Sequence, residues 1–158
     1  MIDDCWSELE RDSSTKRLVP DKKRFPSGMK ALGEFVHGLG LKFGIYGDYG
    51  KYTCERYPGS MGYEEIDAKT FTEWEVDYIK MDGCHSTSEE QRIGYEKFGK
   101  YLDQFGRKIT YSCSYPAYLG GTADRVEYGW LSDQCHQYRN YSAFKNSSPG
   151  PKFGHFLV

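Results

Sequence analysis

The sequence predicts an α/β fold of parallel strands, and three observations carry that expectation. Short apolar runs alternate with amphipathic segments along most of the chain. Each strand-plus-helix unit takes roughly 30 residues, the size of a βαβ step. In most units the stretch from strand to helix is long and the return short, which favours a (β/α) barrel with its chemistry on the long loops. A doubly wound sheet is the alternative. The Gly-x-Gly-x-x-Gly pattern of dinucleotide folds is missing, which weighs against it.

The elements follow in order. Residues 1–6 read as a strand fragment with two adjacent acids, and residues 7–25, charged and aperiodic, as a long loop. Pro26 opens a helix, where its missing N–H costs little. Met29, Leu32, Phe35, Val36 and Leu39 fall on one face of it, and Gly38 and Gly40 end it. Residues 41–46 are a short apolar run, hence a buried strand, and 47–62 a second long loop. A helix over 63–75 turns Ile66, Thr70, Phe71 and Trp74 inward, and a strand over 76–81 stops at Asp82-Gly83. Ser88-Glu89-Glu90 starts a third helix, which runs to about residue 104 with Ile93, Phe98, Tyr101 and Leu102 apolar, until Gly106. A strand over 108–114, a loop over 115–124, a helix over 126–135 and a strand over 136–140 complete five strands and four helices. From Ser142 the composition shifts to Ser, Asn, Pro, Gly and Lys.

Composition excludes several classes. Fourteen Tyr, nine Phe and three Trp are too much aromatic mass for a disordered chain. A formal net charge of -2 lacks the basic excess of a nucleic-acid binder. No apolar run approaches the ~18 residues of a membrane helix. Met1 leads directly into Ile-Asp-Asp-Cys-Trp, so no signal peptide is expected. Five cysteines, at 5, 54, 84, 113 and 135, leave at least one thiol unpartnered and form no Cys-x-x-Cys. Their wide spacing suits buried thiols or long-loop disulfides. Disulfides need an oxidising compartment, which a missing leader contradicts, so the chain reads as incomplete.

Polar residues recur at the strand ends. Asp3 and Asp4 end the first strand, Tyr46 and Asp48 the second, Lys80 and Asp82 the third, and Ser114 the fourth, while Arg139 lies in the fifth. Lys80 and Asp82 share one face because residues i and i+2 of a strand point the same way. Taken singly, an Asp-Gly after a strand reads as a turn, and Asp3-Asp4 as a cap or a solvated end. Recurrence at equivalent positions favours a mouth lined by carboxylates, a lysine, an arginine and aromatic rings. Such a mouth suits a polyhydroxylated ligand, and paired carboxylates suit glycoside hydrolysis.

Four segments carry a resemblance: Ile2-Asp3-Asp4-Cys5-Trp6, Arg24-Phe25-Pro26-x-Gly28, Leu39 to Tyr46, and Lys80-Met81-Asp82-Gly83-Cys84. The chain resembles glycoside hydrolase family 27, the α-galactosidases and α-N-acetylgalactosaminidases, over about residues 1–141. The resemblance implies a partial (β/α)8 TIM barrel of about strands two to six. It implies retaining chemistry with Asp82 as nucleophile, kept ionised with help from Lys80. Asp3, Asp4 and Lys80 would hold the galacto hydroxyls, Tyr46 would form an apolar wall, and Arg139 would lie near the C2 substituent. Substrate choice would fall to residues 113–118. Ser114 and Ala117 stand where the galactosidases have Glu and Leu, leaving room for a 2-acetamido group beside Tyr118. The resemblance also implies disulfides Cys54–Cys84 and Cys113–Cys135, each contributing about 3 kcal/mol, with the partner of Cys5 missing. It calls for no cofactor and no metal. It implies a glycan ending in α-linked N-acetylgalactosamine or galactose, and a lysosomal or secreted, homodimeric full-length parent.

The likeness breaks after Arg139-Asn140-Tyr141. Ala143 stands at the acid/base position, and residues 142–158 contain no Asp or Glu. The expectation is therefore a partial catalytic barrel over 1–141 with a divergent, irregular tail over 142–158, truncated at both ends. Without that carboxyl group, the alternative is a non-catalytic product or a sugar-binding relic.

Overall fold

The structure, a computed structural model, describes residues 1–119 and 125–140. Its elements alternate as α1 (Gly28–Gly38), β1 (Gly44–Asp48), α2 (Glu64–Glu73), β2 (Tyr78–Asp82), α3 (Ser88–Gln104), β3 (Thr110–Cys113), a 3-10 turn (Tyr115–Leu119), α4 (Tyr128–Gln134) and β4 (Gln137–Tyr138). The strands form one parallel sheet in the order β1-β2-β3-β4. Parallel neighbours in chain order, joined by helices, are the build of a partial β/α barrel. The expected loop over 115–124 instead begins with a 3-10 turn, and its residues 120–124 lie outside the described ones. So does the expected tail over 142–158.

Four strands replace the five expected among the described residues. The N-terminal segment contributes only a parallel bridge between Ile2 and Ile45. Cys5 has φ 69, a left-handed backbone that turns the chain off the sheet edge. The strand expected over 41–46 begins at Gly44 and runs to Asp48. Leu41 belongs to the helix exit: its N–H bonds to the Val36 carbonyl, and its side chain is 60% exposed.

One face of the sheet is apolar. Ile45, Ile79 and Tyr111 lie side by side in register, buried against the helices with Met81, Phe71, Tyr95 and Phe98. The ring pairs Phe71–Phe98, Phe98–Tyr111 and Tyr95–Tyr111 have centroids 5.9–6.5 Å apart, within the favourable aromatic range. The other face carries Tyr46, Lys80 and Ser112 in register, with Asp48 beside Asp82 one step further. The strand pleat thus gives the helices the apolar residues and the barrel interior the polar ones.

Helix faces depart from the sequence expectation in α1. Met29 is fully buried and Leu32 and Val36 pack on the core, but Phe35 and Leu39 point to solvent. The contact stripe is narrower than the apolar stripe because Gly33 brings the helix close: a Cβ there would lie 2.9 Å from the Trp74 carbonyl oxygen. In α2, Thr70 and Phe71 are buried as expected, with Trp74 partly covered. In α3, Ile93 is exposed and Tyr95 fills the core. That helix starts at a capping box, with the Thr87 hydroxyl accepting from the Glu90 N–H and the Glu90 carboxylate from the Thr87 N–H.

Candidate active site

The polar chemistry gathers at the C-terminal ends of β1, β2 and β3. Asp82, the last residue of β2, is 7% exposed. Its Oδ1 accepts from the Tyr118 hydroxyl at 2.7 Å, the Arg139 guanidinium at 3.1 Å and the Gly83 N–H at 3.1 Å. Its Oδ2 accepts from the Tyr46 hydroxyl at 3.3 Å. Asp48 ends β1 opposite it and is 1% exposed. The Asp48 Oδ1 accepts from the Gly50 N–H at 2.7 Å, and its Oδ2 from the Cys84 N–H and the Tyr46 hydroxyl, both at 3.1 Å. One tyrosine hydroxyl therefore lies between two carboxyl groups.

The electrostatics follow from that placement. Burial pushes the Asp48 carboxyl up to about 8; the Asp82 charge adds to this, while the Gly50 and Cys84 N–H bonds oppose it. Burial, followed by the Asp82 and Asp48 charges, pushes the Tyr46 hydroxyl far above the ordinary phenol range. Tyr118 moves the same way, first by burial and then by the charge of Asp82. Both phenols are therefore fixed as donors at neutral pH. Arg139 pairs with Asp82, and its guanidinium also lies over the Tyr118 ring at 5.9 Å.

Most of the expected residues meet here. The Lys80 Nζ lies 3.2 Å from an Asp3 carboxylate oxygen and 5.0 Å above the Tyr46 ring. The Tyr46 hydroxyl is turned to the carboxyl groups, because Asp48 is its neighbour on the same strand face. Asp4 is engaged with the backbone, accepting from the N–H groups of Cys5 at 2.6 Å and Glu55 at 3.1 Å. Ser114 and Ala117 are buried at the 3-10 turn that delivers Tyr118. Cys54–Cys84 and Cys113–Cys135 are disulfides with Cα separations of 5.1 and 6.1 Å, and Cys5 is free. Ala143 lies outside the described residues.

Two contributors were not singled out from the sequence. Asp48 stood among the strand-end residues without a role, although its i, i+2 spacing from Tyr46 was the available signal. Gln91 carried no signal. It is fully buried, and its Nε2 donates to the Gly83 carbonyl at 2.8 Å. A Cβ on Gly83 would lie 2.4 Å from the Gln91 carboxamide, so any larger residue behind Asp82 would displace that side chain.

Convergent polar groups at the C-terminal rim of a parallel β/α sheet are the arrangement of barrel enzymes. The family model described as Alpha galactosidase A matches residues 1–150, and the chain belongs to that family, glycoside hydrolase family 27. The chain is 50% identical to an alpha-N-acetylgalactosaminidase of Gallus gallus over 147 residues, which is 92% of this chain and 36% of that protein. It is 43% identical to alpha-galactosidase A of Homo sapiens over 92% of this chain and 34% of that protein. The crystal structure of alpha-galactosidase I from Mortierella vinacea superposes with a TM-score of 0.78 at 36% identity, covering 94% of this chain and 38% of that one. The chain thus spans about a third of the length of the curated relatives it matches. Among the described residues, no helix is long and apolar enough to cross a membrane.

Proposed function

We propose that the chain carries the nucleophile half of a retaining glycosidase site for terminal α-linked N-acetylgalactosamine, with galactose as the lesser substrate. The carrying observation is the Asp82 carboxylate, held at the rim by Arg139, Tyr118 and Tyr46. Asp82 attacks the anomeric carbon as the aglycone oxygen departs from the opposite face, giving a covalent glycosyl ester that water then hydrolyses. Asp3 and Lys80 bind ring hydroxyls, and Arg139 faces the C2 substituent. Ser114 and Ala117 make room for the acetamido group that Glu and Leu would exclude. Two disulfides in the described residues suit an oxidising compartment, lysosomal or secreted.

With Ala143 at the acid/base position, leaving groups that need protonation are lost. General acid–base help is worth roughly 10²–10⁴-fold in rate. The second reading, a sugar-binding relic, rests on that alanine.

The test is covalent labelling of this chain by N-acetylgalactosamine- and galactose-configured 5-fluoro glycosyl fluorides, whose fluoride departs with little need of an acid. One adduct on the Asp82 peptide is expected, faster with the N-acetyl probe and lost in Asp82→Asn. The double change Ser114→Glu, Ala117→Leu should reverse the probe preference. Labelling at another residue would defeat the assignment. Binding of the free sugar without any labelling would favour the relic.

A further inference from the structure

The disulfide at the mouth is packed against the two carboxyl groups. The Cys54 Sγ lies 3.8 Å from the Asp82 Oδ2, 3.9 Å from the Asp48 Oδ2 and 3.6 Å from the Tyr46 hydroxyl. The Cys84 Sγ lies 3.3 Å from the Tyr118 hydroxyl. One ligand atom from each of Asp48, Cys54, Asp82 and Cys84 falls within 4.8 Å of all the others. We propose that these four side chains form a binding site for a thiophilic divalent cation, zinc or its analogues, once the Cys54–Cys84 bond is reduced.

The donor set and its dimensions fit. Zinc takes four ligands at about 2.3 Å from sulfur and 2.0–2.2 Å from oxygen, which sets a sulfur–oxygen edge of about 3.6 Å in a tetrahedron. The observed edges of 3.8 and 3.9 Å need only a small contraction. The sulfurs must separate to about 3.8 Å. Cys54 is exposed on the loop after β1 and has room to swing, and its side gives the cation an entry path.

The shell behind the ligands is already built. The Asp82 Oδ1 is occupied by Tyr118, Arg139 and Gly83, which leaves its Oδ2 toward the sulfurs. The Asp48 Oδ1 is held by the Gly50 N–H, and its Oδ2, which also accepts from the Cys84 N–H and the Tyr46 hydroxyl, faces the sulfurs. Outer partners of this kind fix the orientation of metal ligands. Arg139 offsets part of the excess negative charge of two thiolates and two carboxylates.

The chemistry balances. A dithiol reductant delivers two electrons and two protons to the Cys54–Cys84 bond, yields two thiols and leaves as its cyclic disulfide. The cation then takes the sulfurs as thiolates and Asp48 as its carboxylate, and the two thiol protons and the Asp48 carboxyl proton go to solvent. Metal on the Asp82 Oδ2 occupies a lone pair that attack on a sugar requires, so the loaded form is a blocked form. That consequence rests on Asp82 being the nucleophile, whereas the binding itself does not.

The experiment reads binding alone. The whole chain is reduced anaerobically with dithiothreitol, desalted and titrated with Co2+, and the visible and near-ultraviolet spectra are recorded. One Co2+ per chain is expected, with tetrahedral ligand-field bands and thiolate charge transfer, displaced by Zn2+ and undetectable in the oxidised chain. The Cys113→Ser, Cys135→Ser pair should keep the signal, and the Cys54→Ser, Cys84→Ser pair should abolish it. Asp48→Asn and Asp82→Asn, checked for folding by circular dichroism with the disulfide intact, should each weaken Co2+ binding tenfold or more. Equal binding by the oxidised chain, a signal that survives loss of Cys54 and Cys84, or no response to either Asp→Asn change would each overturn the site. So would a reduced chain that binds no Co2+. Sugar-probe labelling of the oxidised chain is unaffected by any of these outcomes.

Discussion

Asp48 shows how one buried carboxyl group imposes a pH dependence. Its carboxyl sits at about 8 in the folded chain against an ordinary value of 3.8. Between those values the folded state holds a proton that the unfolded state has released. The unfolded state then binds fewer protons, so stability falls as pH rises from about 4 to about 8. The slope from this group reaches at most about 1.4 kcal/mol per pH unit. Asn keeps the shape and removes the titration. Urea unfolding of the oxidised chain at pH 5 and pH 8 should show wild type losing more stability than Asp48→Asn, and equal losses would place a charged Asp48 in the fold. The buried residue was hard to read because Asp at a strand end is ordinarily a solvated turn residue, and nothing local records its burial. Lys80 and Asp82 were easier, since alternation around the apolar Met81 assigns them to the opposite face.

Elements are held in place partly by long-range polar ties. The Arg11 guanidinium donates to both Asp67 carboxylate oxygens at 2.7 and 2.6 Å, and to the carbonyls of Lys16 and Gly59. It also lies 4.1 Å above the Tyr63 ring. One side chain thus fastens the loop before α1 and the loop after β1 to α2. Burial raises the fully enclosed Asp67 carboxyl, while bonds from Arg11 and its charge pull the other way. Removing the arginine leaves that charge without its partner, which in buried pairs costs about 3–5 kcal/mol. Arg11→Ala should lose that much in urea unfolding, and Arg11→Lys should rescue it only in part, because an ammonium lacks the planar fork. A loss below 1 kcal/mol would show that the tie is solvated. No periodicity in residues 7–25 announced this contact, since its partner lies 56 positions away. By contrast, the start of α3 was legible from Ser88-Glu89-Glu90 in the sequence, although the capping residue itself is Thr87. In α1 the five apolar residues marked a face but not its width, which Gly33 and the approach of Trp74 decide.

Across the whole molecule, stability should grade from the centre of the sheet to its last strand. β2 has a partner on each side and Ile79 and Met81 fully buried, whereas β4 has two exposed residues and, among the described residues, one partner. The Cys113–Cys135 bond closes a loop of sequence separation 22 and ties the end of β3 to the end of α4. Replacing both cysteines by serine should cost about 3 kcal/mol and speed amide exchange in α4 and β4 with little change in β1 and β2. Uniform acceleration across all four strands would show a single cooperative unit instead. The parallel order itself followed from alternation of strand and helix, while the small size of β4 did not, because pairing length depends on neighbours in space. The spatial order β1-β2-β3-β4 is also the chain order. On a ribosome, each strand therefore emerges to find its first neighbour already made, and none has to be inserted between two earlier ones. Every closure spans one short loop-helix unit, so the entropy of joining is met in small equal steps rather than in one long search. The sheet can grow in the direction in which the message is read.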